Sequence, residues 1–108
     1  MSASKLKRGR PLESVVEAYL VERVEQCGGL CRKLVDVGRK GFPDRTVIWP
    51  AYSFARVHFI ELKTLGGKLE SHQERYIADL CKKNCTVFVL WTHKQVDEYI
   101  ERFAEAPF

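Results

Sequence analysis

The chain has 108 residues, 45% of them hydrophobic, which fits one domain with a modest core and leaves no length for a second. Eighteen basic residues against 14 acidic give a net charge of +4, a balance that suits a polyanionic partner such as nucleic acid. No apolar run is long enough to span a membrane and the N-terminus lacks the apolar segment of a signal peptide, so a membrane or secreted protein is not expected; the expected setting is a reducing cytoplasm, bacterial or phage-infected, without disulfides.

Residues 1–10 are polar and basic, with Lys5, Lys7, Arg8 and Arg10, and read as a flexible arm ahead of a single domain over 11–108. From Pro11 to about Gln26 the pattern is helical: Leu12, Val15, Val16, Tyr19, Leu20 and Arg23 share a stripe, Pro11 suits the first turn, and Gly28-Gly29 ends the helix. Leu30 to about Val37 is rich in Val and Leu and predicts a strand, followed by a loop over Gly38–Asp44. Arg45–Trp49 predicts a second strand, Pro50–Ser53 a turn, and Phe54–Lys63 a third strand. Alternation in this third strand places Phe59, Glu61 and Lys63 on one face and His58, Ile60 and Leu62 on the other.

After a glycine-bearing loop over Thr64–Leu69, Ser71 is a candidate cap for a helix from His72 to Lys83, with Tyr76, Ile77, Leu80 and Cys81 inward. Thr86–Trp91 is nearly all apolar and predicts a central strand buried on both faces. Thr92 then caps a last helix over Lys94–Phe103. The order is α-β-β-β-α-β-α, an α/β fold whose mixed sheet is flanked by helices and which ends in a C-terminal helix.

Two patterns bear on function without deciding it. The cysteines stand as Cys27-x-x-x-Cys31 and Cys81-x-x-x-Cys85, looser than a zinc knuckle and better read as ordinary small thiols. Around the middle loop lie Arg32, Lys33, Arg39, Lys40 and Arg45, either a solvated basic face or contacts to a phosphate backbone.

Hydrolysis of a phosphodiester needs a cation on the scissile phosphate, a deprotonated water and stabilisation of the charge that develops. Two carboxylates on neighbouring strands can hold magnesium, which prefers oxygen ligands and keeps several waters. Asp44 opens the second strand, while Glu61 and Lys63 share a face of the third. A short connection makes these strands hairpin neighbours, which brings Asp44 towards Glu61. Leu62 offers its backbone carbonyl as a further oxygen. Glu-x-Lys alone is also what a solvent-facing amphipathic strand carries, so the weight lies on the whole arrangement.

That arrangement resembles the VRR-NUC domain of the PD-(D/E)XK nuclease superfamily, specifically its stand-alone viral and phage form. The resemblance is carried by Glu17 on the first helix, Gly28-Gly29, Gly41-Phe42-Pro43-Asp44-Arg45, Glu61-Leu62-Lys63 and Ser71-His72-Gln73, in order over most of Glu13–Trp91. It implies a restriction-endonuclease-like core and Mg²⁺- or Mn²⁺-dependent hydrolysis of DNA phosphodiesters. By position it implies metal binding by Asp44 and Glu61, with the Leu62 carbonyl and Glu17, water positioning by Lys63 and an orienting role for Gln73. Glu13 is the reserve for Glu17, four residues away on the same side of the helix.

Arg39, Lys40 and Arg45 are the candidate phosphate contacts, and His72 a weaker candidate beside Gln73. Stand-alone members of this kind are expected to act as homodimers on branched DNA such as four-way (Holliday) junctions. The alternatives are a catalytically weak DNA-binding module with the same fold and, less supported, a basic protein-interaction domain.

Overall fold

In the computed structural model, residues 12–50 and 56–104 are described. The basic arm, Pro11, the turn residues 51–53 and the first two residues of the expected third strand lie outside them. The elements are α1 (Glu13–Gln26), β1 (Leu30–Arg32), β2 (Arg45–Ile48), β3 (Val57–Leu62), α2 (Ser71–Lys82), β4 (Thr86–Leu90) and α3 (His93–Phe103). The four strands form one mixed sheet in the order β1-β2-β3-β4. The first three run antiparallel, and β4 joins β3 in parallel, which requires the crossover that α2 provides.

One face of this sheet carries the core. Val16, Leu20 and Val24 recur every four residues on α1 and are fully buried against Val47, Trp49, Ile60 and Leu62 of the sheet and Val96, Tyr99 and Ile100 of α3. The buried stripe is therefore narrower than the sequence pattern suggests and takes in Val24, which that pattern left out, while Leu12 and Val15 stay exposed at its edge. Gly29 lets α1 approach the sheet. A Cβ there would sit 2.8 Å from the Trp49 ring and 2.9 Å from Val24, closer than side-chain carbons pack.

His58 faces the same core. Its ring lies 4.5 Å from that of Phe103 and 5.5 Å from that of Tyr99, centroid to centroid. The Tyr99 hydroxyl joins two buried heterocycles: it accepts from Trp49 Nε1 at 3.0 Å and lies 2.6 Å from His58 Nδ1. Burial, with the Arg102 charge as a lesser cause, lowers the His58 pKa to about 4, so the imidazole is neutral in the folded protein.

The opposite face is thinly covered. There Phe42 packs edge-on against Phe59 of β3 and Tyr76 of α2, and α2 itself has no fully buried residue. The alternation read along β3 holds, with Phe59 and Glu61 on the α2 side and His58, Ile60 and Leu62 towards the core.

Several sequence expectations change, among them Cys81, expected inward on α2 and found exposed. The first strand stops at Arg32 rather than Val37, because its partner β2 begins at Arg45, paired one step beyond the Arg32↔Thr46 match. β4 is an edge strand of the described sheet, not a central one, and only Leu90 is buried; its apolar run answers to α2 and α3 on its two faces rather than to strands on both sides. The cap of α2 is Glu70, with Ser71 as the first helical residue, since Gln73 Oε1 accepts from the Glu70 amide at 2.8 Å. Finally, α3 begins one residue earlier, at His93. Thr92 caps it as expected, its hydroxyl accepting from the Gln95 amide at 3.1 Å. The four cysteines are free thiols; Cys31 is buried in the core and burial pushes its pKa up to about 11.

Candidate active site

The candidate residues gather at one end of the sheet, where β2 starts, β3 ends and both α1 and α2 begin. Asp44 immediately precedes β2. Because Arg45 pairs with Ile60 in the antiparallel register, continuing that register sets Asp44 opposite Glu61. Asp44 Oδ2 accepts from the Leu62 amide at 2.8 Å, a bond that fixes the aspartate against the next strand. The two carboxyl groups lie within hydrogen-bonding reach of each other.

Glu61 is 1% exposed, an unusual place for an acid. Its Oε2 accepts from Gln73 Nε2 at 2.9 Å, whereas Oε1 is buried and has no partner. Gln73 thus uses both ends of its amide: the oxygen caps α2 and the nitrogen holds Glu61. Burial first, and then the facing Asp44, raise the Glu61 pKa to about 8; Lys63 pulls the other way and Glu13 adds a further push upward. Asp44 is also raised, chiefly by burial and then by Glu17, against the lowering effect of the Leu62 amide, Glu61 and Lys63. Asp44 thus makes Glu61 harder to ionise, whereas the contact with Glu61 favours the ionised form of Asp44.

A hard divalent cation fits this set. An unpartnered buried carboxylate oxygen and two acids that resist ionising together are what a dication would satisfy and neutralise. Among the described residues no cluster of three or more His, Cys, Asp or Glu side chains is gathered for a metal. Two neighbouring carboxyl groups suit a cation that keeps waters or takes oxygens from substrate.

The first helix offers two carboxylates with different fates. Glu13, its first residue, interacts with Asp44 and Lys63 and has a raised pKa, mainly from burial. Glu17 is drawn into an ion pair, its Oε2 accepting from Arg45 Nε at 2.7 Å with Lys33 Nζ at 3.5 Å. Arg45 alternates to the α1 side of β2 and is engaged there. Arg39 donates to Asp79 at 2.8 Å and lies 4.1 Å above the Tyr76 ring, while Lys40 is exposed. His72 sits 3.7 Å from Glu70.

An antiparallel hairpin with an Asp at one strand's start and Glu-x-Lys at the other's end is a restriction-endonuclease-like arrangement, and comparison with known proteins decides which. The family model of the VRR-NUC domain matches residues 3–94. The chain belongs to the VRR-NUC family. A solved structure titled "VRR_NUC domain" superposes with a TM-score of 0.75 at 41% identity, covering 82% of this chain and 94% of that one. A protein of Acyrthosiphon pisum secondary endosymbiont phage 1, named "Putative nuclease p44", is 37% identical over 78 residues, which is 72% of this chain and 81% of its own length. The VRR-NUC fold is thus the scaffold on which Asp44, Glu61, Lys63 and Gln73 converge.

Two features of this VRR-NUC site were not visible in the sequence pattern. The ion pairs of Glu17 with Arg45 and Lys33 join residues 28 and 16 positions apart, and no local spacing signals them. The link from Asp36 to Tyr76, whose hydroxyl donates to Asp36 Oδ2, spans 40 positions and is equally silent.

Proposed function

We propose that the protein is a metal-dependent deoxyribonuclease in which Asp44 and Glu61, with the Leu62 carbonyl, hold Mg²⁺ or Mn²⁺. The observation that carries this reading is the buried Glu61 carboxyl set beside Asp44, with an oxygen, Oε1, that no N–H or O–H donor among the described residues satisfies. When bound, such a cation supplies positive charge for the scissile phosphate and lowers the pKa of water at the site.

The chain's own residues do the rest. Lys63 stands on the same face of its strand as Glu61, where its ammonium orients the attacking water and offsets phosphate charge. Gln73 holds Glu61 in one orientation as the pair loses its proton. Glu13 lies at the mouth of the site and serves as the outer carboxylate, with Glu17 instead holding Arg45 in place. Arg39 and Lys40 contact the phosphate backbone, giving affinity without sequence readout, and Arg45 adds to this through the part of its guanidinium that Glu17 leaves free.

A domain of this size has little surface for reading sequence, so selectivity falls on DNA shape, with branched DNA such as four-way junctions as the substrate class. A two-fold dimer would present two such sites to a symmetric junction. The test is a cleavage panel of single-stranded, duplex, flapped and four-way-junction DNA in Mg²⁺, Mn²⁺ or EDTA. The expected result is metal-dependent cutting that favours branched forms. Tight binding to one form with no cutting of any would instead assign a DNA-binding module.

A further inference from the structure

The segment that sequence pattern assigns to the end of the first strand has no strand to pair with among the described residues, yet keeps its apolar side chains. Leu34 is 50% exposed, Val35 75% and Val37 95%. Loop tips are ordinarily polar, and an apolar tip held in water calls for a partner.

This tip is held firmly. Asp36, between the two valines, accepts from the Gly38 amide at 3.1 Å and from the Tyr76 hydroxyl. Arg39 is anchored on Asp79 and over the Tyr76 ring. Gly41 has φ +102°, and a Cβ there would lie 2.5 Å from the His72 carbonyl oxygen, so the loop backbone runs directly against the start of α2. The same loop walls a cavity of about 510 Å³ that extends from Lys33 past Val35 and Val37 to Asp44. A firmly braced apolar tip therefore shares a cavity with a carboxylate of the site.

We propose that Val35 and Val37 form a wedge that packs on nucleobase faces exposed at a DNA branch point, setting the scissile phosphate over Asp44 and Glu61. The proposal rests on the nuclease reading and supplies its source of shape selectivity. The flanks specify the partner: Lys40 stands exposed beside the tip, Lys33 and Arg39 flank it from their ion pairs with Glu17 and Asp79, and a ligand that is anionic outside and apolar on its flat faces is a nucleic acid with accessible bases. Apolar side chains enter a stacked duplex only by breaking stacking, whereas a flap or junction already presents base faces. Branched DNA is thereby favoured over continuous duplex.

The experiment places 2-aminopurine at the branch point of a four-way junction and follows its fluorescence on protein binding in EDTA. The wild type is expected to raise the signal. Val35→Ser with Val37→Ser is expected to lose most of that rise and to weaken junction binding about tenfold, the scale of one lost specific contact, with an unaltered melting temperature. Val37→Phe, which keeps an apolar stacking face, is expected to retain the response. An equal rise in the wild type and the double serine variant overturns the wedge. So does light scattering that shows the double variant falling from dimer to monomer, which would assign the patch to a second copy. A wild type that cuts branched DNA in Mn²⁺ with no fluorescence change overturns the wedge alone; one that neither binds nor cuts any DNA overturns the nuclease reading and the wedge with it.

Discussion

Glu61 and Asp44 are ordinary carboxylates made unusual by where the backbone puts them. One hydrogen bond, from the Leu62 amide to Asp44, and one amide, from Gln73 to Glu61, fix both acids, and burial does the remainder. Removing Asp44 takes away a proposed ligand and the charge that opposes ionisation of Glu61. Asp44→Ala is therefore expected to abolish Mn²⁺ binding in a calorimetric titration and cleavage in the same buffer. Gln73→Ala leaves both acids but frees Glu61 to rotate. It is expected to weaken Mn²⁺ binding by about 10–100-fold, the usual effect of losing a ligand's hydrogen-bond partner. Mn²⁺ affinity equal to wild type in Gln73→Ala would show that Glu61 is oriented by something else.

The elements were largely legible because their signals are local. The four-residue repeat of α1, the alternation of β3 and the Thr92 cap each depend on neighbours a few positions away. What was not legible depended on partners. Leu34 to Val37 has strand-like composition, but a strand forms only where another strand supplies its hydrogen bonds, and none of the described strands lies there. β4 is apolar enough for the middle of a sheet, yet composition does not say whether a helix or a strand covers it. The pairing of Glu17 with Arg45 and Lys33 was silent as well, since no spacing announces it. The Trp49–Tyr99–His58 link between the sheet and α3 was equally hidden. Tyr99→Phe removes the acceptor for the Trp49 N–H and strands His58 in the core. Its expected cost is about 1–3 kcal/mol, the penalty for burying unsatisfied polar groups, read as a shift in the urea midpoint with unchanged slope. A loss below about 0.5 kcal/mol, the level of a neutral surface change, would show that the link carries little.

At the scale of the whole molecule, two buried groups give stability a defined pH dependence. His58 takes a proton at 6.5 when unfolded but only near 4 when folded, so its contribution is complete above pH 6.5 and is lost as pH falls towards 4. Glu61 has the opposite sign: its pKa rises from 4.5 unfolded to about 8 folded, so the folded state holds the extra proton and loses stability as pH climbs through 8. Between pH 4.5 and 6.5 the two slopes oppose each other, and above 6.5 only that of Glu61 remains. The metal-free protein is expected to show a flat melting temperature over the lower range and a fall between 6.5 and 8. Glu61→Gln should remove that fall and expose a rise with pH in the lower range, and a wild-type melting temperature that climbs between 6.5 and 8 would contradict the buried protonated Glu61. The proposed chemistry divides labour between two carboxylates that would hold a cation and a lysine that would act on water and phosphate. Its most direct test is single-turnover cleavage of junction DNA by Lys63→Ala in Mg²⁺, with binding measured on the same DNA. The predicted result is loss of cleavage by at least about a hundredfold, the scale of removing one transition-state contact, with DNA affinity within about threefold of wild type. Cleavage at the wild-type rate, or cleavage and binding lost together, would contradict it and move Lys63 out of the chemistry.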